Sequence, residues 1–342
     1  MWKRRAKKAA VILVLLIGAA GVAVTWLWSD RPSLDDIRWP AAAVATASVP
    51  DRVTVTWLGV STLLFDDGET QILIDGFFSR PSLADLVLDR PVENDAAIIN
   101  YALDEFRMRR LAAVIPLHSH FDHAMDVGAI ANRTSASVIG SASTVEIARG
   151  AGVLEDQITL AVENQAYEFG QFKVTLLPAR HAPIGWRGSV PLAGAIDAPL
   201  IPPQPVSAWR EGGSYTVLIF HPEGTAIVHG SAGLLERGLR DVSADVVMLG
   251  IFGLDSLGRD YTETYWQTLV TATGARSVYP IHFDDFTRPF GEIVPGPKIL
   301  SDLSKTAAWL EALRDRWDTG TTLHLPEFGM PIAIYQQAAP EA

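Results

Sequence analysis

The 342-residue chain contains no cysteine. That absence removes disulfide staples, thiolate metal sites and every mechanism needing a cysteine nucleophile. Any metal must therefore be held by His, Asp or Glu. The chain is also short of positive charge, with 28 Lys and Arg against 39 Asp and Glu, a net charge of −11. A nucleic-acid binder normally carries a basic face, so nucleic acid is not an expected partner. Low-complexity tracts and exact repeats are missing too. With 48% hydrophobic and 20% charged residues, the composition is ordinary globular, which argues against disorder, collagen and coiled coil. The length suits one large domain or two small ones and is ample for a sizeable core.

What charge there is lies unevenly. Residues 1–28 hold five basic groups (Lys3, Arg4, Arg5, Lys7 and Lys8) and no acid. Removing those five from 28 leaves 23 basic against 39 acidic groups in the remainder, a balance of −16. Behind the basic stub of residues 1–8, the twenty residues 9–28 carry no charge. At about 1.5 Å per residue they would span roughly 30 Å as a helix, the hydrocarbon thickness of a bilayer. Trp26 and Trp28 stand where an interfacial aromatic belt would lie, and the basic cluster should stay cytoplasmic. The expectation is a signal anchor, single-pass, with the bilayer as partner and the catalytic domain extracytoplasmic (periplasmic if the cell is Gram-negative). A cleaved signal peptide is the alternative, with Gly21-Val22-Ala23 as a small-residue cleavage site and a secreted product. Residues 29–50 mix Pro, Ala, Ser and charge without periodicity and read as a linker. The folded domain is expected over residues 51–342.

Short apolar or β-branched runs at Val53–Trp57, Thr62–Phe65 and Gln71–Ile74 read as strands, with Asp67-Gly68 as a hairpin signal. Residues 97–110 read as a helix, and Leu111–Pro116 as a buried strand. Strand and helix then alternate up to the strand FKVTLLP. Residues 183–213 form a Pro/Gly-rich apolar insertion too long for a routine connector. Beyond it come YTVLIF, a turn at His221–Gly224, TAIVHG, ADVVMLG, a helix from about Thr262 to Thr273, SVYPIH, a helix over Ser301–Arg314 and a closing hairpin. The pattern predicts a layered α/β protein with two sheets between outer helices.

The chemistry concentrates in residues 117–123, Leu-His-Ser-His-Phe-Asp-His, directly after the apolar strand. At an extended strand end, His118 and His120 project to one side. Asp122 and His123 follow as the chain turns. Three imidazoles and a carboxylate this close are costly unless they share a cation. Divalent metals match the N/O set; zinc is the commonest choice without Cys, with Mn2+ and Fe2+ as alternatives.

The His118-Ser119-His120-Phe121-Asp122-His123 string resembles the most specific motif of the metallo-β-lactamase superfamily of metal-dependent hydrolases. Asp75, ending the run QILID before Gly76, matches that family's earlier strand-end aspartate. His181, after VTLLPAR, matches the third histidine of its first metal site, and His282, in VYPIHFDDF, the last histidine of its second. The resemblance covers roughly residues 53–286. It implies a four-layer αββα sandwich with the metals at one edge between the sheets. Five of the eight histidines then fall on ligand positions. One or two Zn2+ ions would bind, with His118, His120 and His181 holding the first and Asp122, His123 and His282 the second. Asp75 would orient a ligand imidazole.

One position departs from the pattern. Where the family usually has a bridging aspartate, this chain has Ser231, in Val228-His229-Gly230-Ser231. A neutral hydroxyl is a far weaker ligand. One tightly held metal, two metals bridged by water alone, and a site of reduced catalysis all fit that change. His229 could partly compensate, although a core role is commoner for such a histidine; His221 and His324 read as structural or surface residues.

The reaction expected is attack of metal-bound hydroxide on an ester, lactone, amide or phosphodiester. Asp122 could accept a proton if the second site were empty. The approach Leu-Pro-x-x-His to His181 resembles the branch that holds the L-ascorbate-6-phosphate lactonase-like and N-acyl-phosphatidylethanolamine phospholipase D-like proteins. That resemblance and the apolar insertion point to a small-molecule or lipid-like substrate. Arg180, Arg187 and Trp186 are the candidates to recognise it. The competing reading is a catalytically weakened metal-binding or scaffold protein of the same fold.

Overall fold

The computed structural model describes residues 2–41, 52–239 and 242–335. Two seven-stranded sheets face each other. In the first, the strands run in the order Pro331–Ala333, Thr54–Trp57, Leu63–Asp66, Gln71–Ile74, Leu111–Ile115, Ser137–Gly140, Ile158–Leu160. Its first four strands are antiparallel neighbours, and the run from Gln71–Ile74 to Ile158–Leu160 is parallel. The second sheet runs Thr322–Leu323, Ser277–Ile281, Val246–Gly250, Gly224–His229, Ser214–His221, Phe172–Ala179, Ala166–Phe169. The parallel pairs of that sheet are the ones from Gly224–His229 to Thr322–Leu323.

Side-chain alternation decides which residues meet. In the strand Leu63–Asp66, Leu63 and Phe65 enter the core between the sheets, whereas Leu64 faces the outer helices. Leu73, Val114 and Val138 line the same outer face and pack against Ile99, Ile130 and Ile147 of helices Ala96–Glu105, Val127–Thr134 and Ala142–Gly150. Helix Leu303–Trp317 contributes Leu303, Ala307, Leu310 and Leu313 to the larger core cluster, which also holds the second sheet's strands. The central strands Gln71–Ile74, Val246–Gly250 and Ser277–Ile281 are thus buried on both faces, which is why they read as near-continuous apolar runs. Two sheets with helices outside them give the layered architecture that the pattern predicts.

Several expected boundaries shift. The helix expected over 97–110 ends at Glu105, because Arg107 adopts φ 51° and turns the chain toward the next strand. The helix expected to start near Thr262 begins at Arg259, and the last one extends to Trp317. The closing hairpin is not formed. Thr322–Leu323 adds to the second sheet beside Ser277–Ile281, whereas Pro331–Ala333 crosses over and pairs with Thr54–Trp57 in the first. The final segment therefore stitches the two sheets together.

A 28-residue helix, Trp2–Ser29, precedes the domain. The side chains of Ala9, Ala10, Val11, Leu13, Val14, Leu16 and Ile17, on which the expected membrane segment depends, lie outside the described residues. Among the described residues, no helix is long and apolar enough to cross a membrane. Part of the segment read as a linker is docked on the domain. Ile37 and Trp39 are buried in the inter-sheet core, and Ala41 bridges to Leu325. Asp30 pairs with Lys298 at 2.8 Å, and Arg31 with Asp285 at 2.7 Å. Residues 42–50 of that linker lie outside the described residues, as does Asp51.

Candidate metal centre

Every residue singled out from the motif sits just past the C-terminal end of a strand. Asp75 follows Gln71–Ile74, the His118–His123 turn follows Leu111–Ile115, His181 follows Phe172–Ala179, and His282 follows Ser277–Ile281. In layered α/β sheets this edge is where ligands bind, since the loops converge there while the strands stay rigid. The local geometry follows from the sequence. His120 is extended (φ −62°, ψ 157°) and leads into a four-residue helix, Phe121–Ala124. His118 and His120 thus share a side, and Asp122 and His123 reach the neighbouring point.

Two groups of possible metal ligands result: His118, His120 and His181, and Asp122, His123 and His282. Within each group the ligand atoms lie within 4.8 Å of one another. The outer hydrogen bonds select which nitrogen is free. His120 donates from Nε2 to the Pro191 carbonyl at 3.0 Å, leaving Nδ1 to face His118 Nε2 at 2.9 Å. His181 donates from Nδ1 to the Ala182 carbonyl at 2.8 Å, which frees Nε2. Burial lowers the His118 pKa well below its ordinary value, with the neighbouring imidazoles adding to it. Burial likewise brings His120 and His181 down to about 4. The first group is therefore neutral near pH 7, with lone pairs available for a cation.

The second group is charged. Burial alone would raise the Asp122 pKa, but His123 and His282 outweigh it and hold the carboxyl below its usual range. An anionic Asp122 suits a metal ligand better than a proton acceptor. Asp122 Oδ2 lies 3.4 Å from His282 Nε2 and 3.6 Å from His123 Nε2. For His123, burial works downward, but the Asp75 and Asp122 carboxylates together raise the pKa. Asp75 accepts from His123 Nδ1 at 2.8 Å and from the Leu117 backbone N–H at 2.7 Å. It therefore ties the second group to the strand end that carries the first. That is the orienting arrangement expected of Asp75.

The donor set fits a divalent metal. Buried imidazole nitrogens converge in each group, and a buried carboxylate completes the second. His118 Nδ1 and His282 Nδ1 are buried with no hydrogen-bond partner.

Three supports were not visible in the motif. Ser61 Oγ lies 3.1 Å from His123 Nδ1. The Pro191 carbonyl comes from the apolar insertion. The third is a clamp behind His282. Val60 holds φ 49°, unusual for a β-branched residue, and His282 holds φ 56°. The His282 N–H donates to the Val60 carbonyl at 2.8 Å, and the Val60 N–H donates to Asp284 at 2.8 Å. Buried Arg80 lies 3.7 Å from the other Asp284 oxygen. The Asp284-Asp285 pair just after His282 is the sequence signal that could have revealed this clamp.

Ser231 stands in the wall of a cavity of about 150 Å³ beside His120, Asp122, His181 and His282. Its hydroxyl accepts the Ala182 N–H at 2.9 Å, so it braces the loop carrying His181. His229 does not compensate for the missing carboxylate. Nδ1 contacts Thr216 Oγ1 at 2.6 Å and Nε2 donates to the Gly233 carbonyl at 2.9 Å, so both nitrogens are engaged. His221 packs on Phe172, and His324 stacks on Tyr279; both are structural. None of the substrate candidates borders this cavity. Arg180 opens onto a neighbouring one with Glu211 and Glu236, and Arg187 lies over Trp186, which is 83% exposed. The insertion packs on the domain through the fully buried Trp209 and through Ile196, which donates its N–H to Ser143, whereas most of its other residues are partly or fully exposed.

Facing sheets, outer helices and a His-x-His-x-Asp-His turn at the strand ends define the metallo-β-lactamase fold, and the chain has that fold. No protein-family model matches it. It is 26% identical over 138 residues to a UPF0173 metal-dependent hydrolase of Roseiflexus sp. (strain RS-1), covering 40% of this chain and 50% of the relative. It is 27% identical over 121 residues to another UPF0173 metal-dependent hydrolase, from Heliobacterium modesticaldum, covering 35% and 43%. The matches thus span half or less of the curated relatives' length. Among solved structures, CmlA, a diiron β-hydroxylase from Streptomyces venezuelae, superposes with a TM-score of 0.51 at 13% identity, over 84% of this chain and 55% of that one. At that identity the likeness concerns the fold.

Proposed function

We propose that this protein is a metal-dependent hydrolase acting on an ester, lactone, amide or phosphodiester. The observation carrying the proposal is the pair of ligand groups that face one cavity, the first neutral and the second containing one carboxylate. Divalent metal, when bound, lowers the pKa of water from 15.7 toward about 7 and polarises a substrate oxygen. Zinc is the metal proposed, since imidazole and carboxylate suit it without thiolate.

His118, His120 and His181 would hold the first ion, and Asp122, His123 and His282 the second. Pro191 and Ala182 fix the tautomers of His120 and His181, and Asp75 fixes that of His123. The apolar wall would shield the reacting centre from bulk water. Ser231 keeps the His181 loop in register and adds no charge. The relatives' names support the hydrolytic reading. Elemental analysis of the purified chain, with a panel of esters, lactones and phosphodiesters, tests it. Near-stoichiometric zinc, lost in His120→Ala together with turnover, is the expected result. Stoichiometric metal with every substrate intact would favour the scaffold reading instead.

We further propose that residues 9–28 anchor the chain in a membrane, with the domain on the extracytoplasmic side. The twenty uncharged residues behind five basic groups support this reading. Alkaline carbonate extraction tests it; release of the intact chain into the supernatant would overturn it.

A further inference from the structure

The walls of the cavity beside the two ligand groups divide into two kinds. Phe121, Phe286 and Phe252 form one side, with ring centroids 5.9 Å apart at each step, and Phe252 continues to His282 at 5.5 Å. The opposite side comes from the insertion, through Ile184, Pro191 and Leu192. Among the described residues, and apart from the ligand residues, no charged side chain lines the cavity. Leu192 is held there by its backbone. It adopts φ 42°, and its carbonyl accepts the Glu211 N–H at 2.9 Å. A bulky residue kept in a left-handed conformation at a cavity wall points to a functional constraint.

Phosphate or carboxylate recognition normally uses Arg or Lys in bidentate or point-charge contact. Here Arg180 lines the adjoining cavity together with Glu211 and Glu236, and Arg80 is engaged with Asp284. An anionic group seated against the Phe121–Phe286–Phe252 wall, away from the metal ligands, would lose its hydration to aromatic and aliphatic carbon and meet no cationic side chain among the described residues.

Resting on the hydrolase reading above, we propose that the substrate is a neutral ester or lactone whose acyl side is a short apolar chain or ring. The Phe121–Phe286–Phe252 wall and Leu192 grip that group and set specificity. In the reaction, water adds to the acyl carbon, the acyl C–O bond breaks, and the alcohol leaves with a proton from the water. The cavity of about 150 Å³ accommodates a short chain. Each buried methylene should strengthen binding about fourfold until the space is filled.

The test uses the zinc-loaded full chain in detergent. Hydrolysis of p-nitrophenyl acetate, butanoate and hexanoate is compared with that of bis(p-nitrophenyl) phosphate. Binding of alkyl hydroxamates of the same lengths, with and without a terminal carboxylate, is measured by calorimetry. The expected result is a kcat/KM and a hydroxamate affinity that climb about fourfold per methylene and then level off. The carboxylate-tipped probe should bind at least tenfold more weakly. Phe252→Ala should flatten the series, and Leu192→Lys should reverse the carboxylate preference, both with unchanged zinc content. If turnover occurs but both series are flat, or the phosphodiester is preferred, the specificity inference fails while the hydrolase reading stands. If nothing is turned over yet the hydroxamate series holds, the apolar ligand site stands and the hydrolase reading fails.

Discussion

The two ligand groups lie side by side but are built differently. His118, His120 and His181 are neutral, and backbone carbonyls of Pro191 and Ala182 orient the last two. The second group contains the anionic Asp122, and its imidazoles depend on a carboxylate and a strained clamp: Asp75 for His123, and Val60 with Asp284 for His282. The first group has its donors complete. The carboxylate that the family resemblance would place between the two groups is Ser231 here, which leaves Asp122 as the one carboxylate of the second group. A metal should therefore fill the first group more tightly, and the second should respond to changes that leave the first untouched.

The harshest test of that asymmetry removes one ligand from each side. His120→Ala should lose the first ion and essentially all turnover. His123→Ala should lose only the second, so that metal content falls from two ions to one or stays at one. Elemental analysis of the two variants decides the matter. If His123→Ala emptied both groups, the two would be a single cooperative site and the comparison would break.

A gentler change acts through orientation. Asp75→Asn keeps a group able to accept the Leu117 N–H but withdraws the charge that raises the His123 pKa. Loss of such an orienting carboxylate typically costs 10- to 100-fold in metal affinity. The second dissociation constant should rise by that amount while the first is unchanged, as read by competition with a zinc chelator.

How much of this was legible from the chain depends on range. The clustering of the candidate ligands was, because His118, His120, Asp122 and His123 owe their placement to local geometry, a strand end running into a helical turn. Asp75 was legible for the same reason, as an acid at a strand end before glycine. The supports were not. The Pro191 carbonyl bears no side-chain signature, and Val60 meets Asp284 only because two sheets pack face to face. Arg180 and Arg187 show the opposite failure. Nearness to His181 in sequence suggested a role at the cavity, but side-chain direction sends both elsewhere. The final segment misled for a related reason, since nothing local tells Thr322–Leu323 and Pro331–Ala333 to join different sheets.

Restoring a carboxylate should narrow the gap between the groups. Ser231→Asp places an anion among His120, Asp122, His181 and His282, and its oxygen can still accept the Ala182 N–H. The second ion should bind about tenfold more tightly, roughly 1.4 kcal/mol. Unchanged second-ion affinity in calorimetric titration would mean that the Ser231 side chain cannot reach both groups.

The smallest effect on metal is expected at His229, which belongs to neither group. Burial brings its pKa down to about 4, below the ordinary 6.5. The unfolded chain therefore takes up the proton first. The stability tied to neutral His229 is complete above pH 6.5, declines as pH falls below it, and is fully lost near pH 4. For a shift of that size the loss is of order 3 kcal/mol. His229→Gln should leave zinc content unchanged, because both His229 nitrogens are spent on Thr216 and Gly233. It should lower stability at pH 7.5 by about 1–3 kcal/mol through the imperfect replacement of those buried bonds. The metal-free variant should also show a shallower fall in stability from pH 6.5 to 4.5 than the metal-free wild type. Denaturant melts at these pH values measure both quantities. Parallel pH profiles for the two proteins would place the acid sensitivity wholly in the ligand groups.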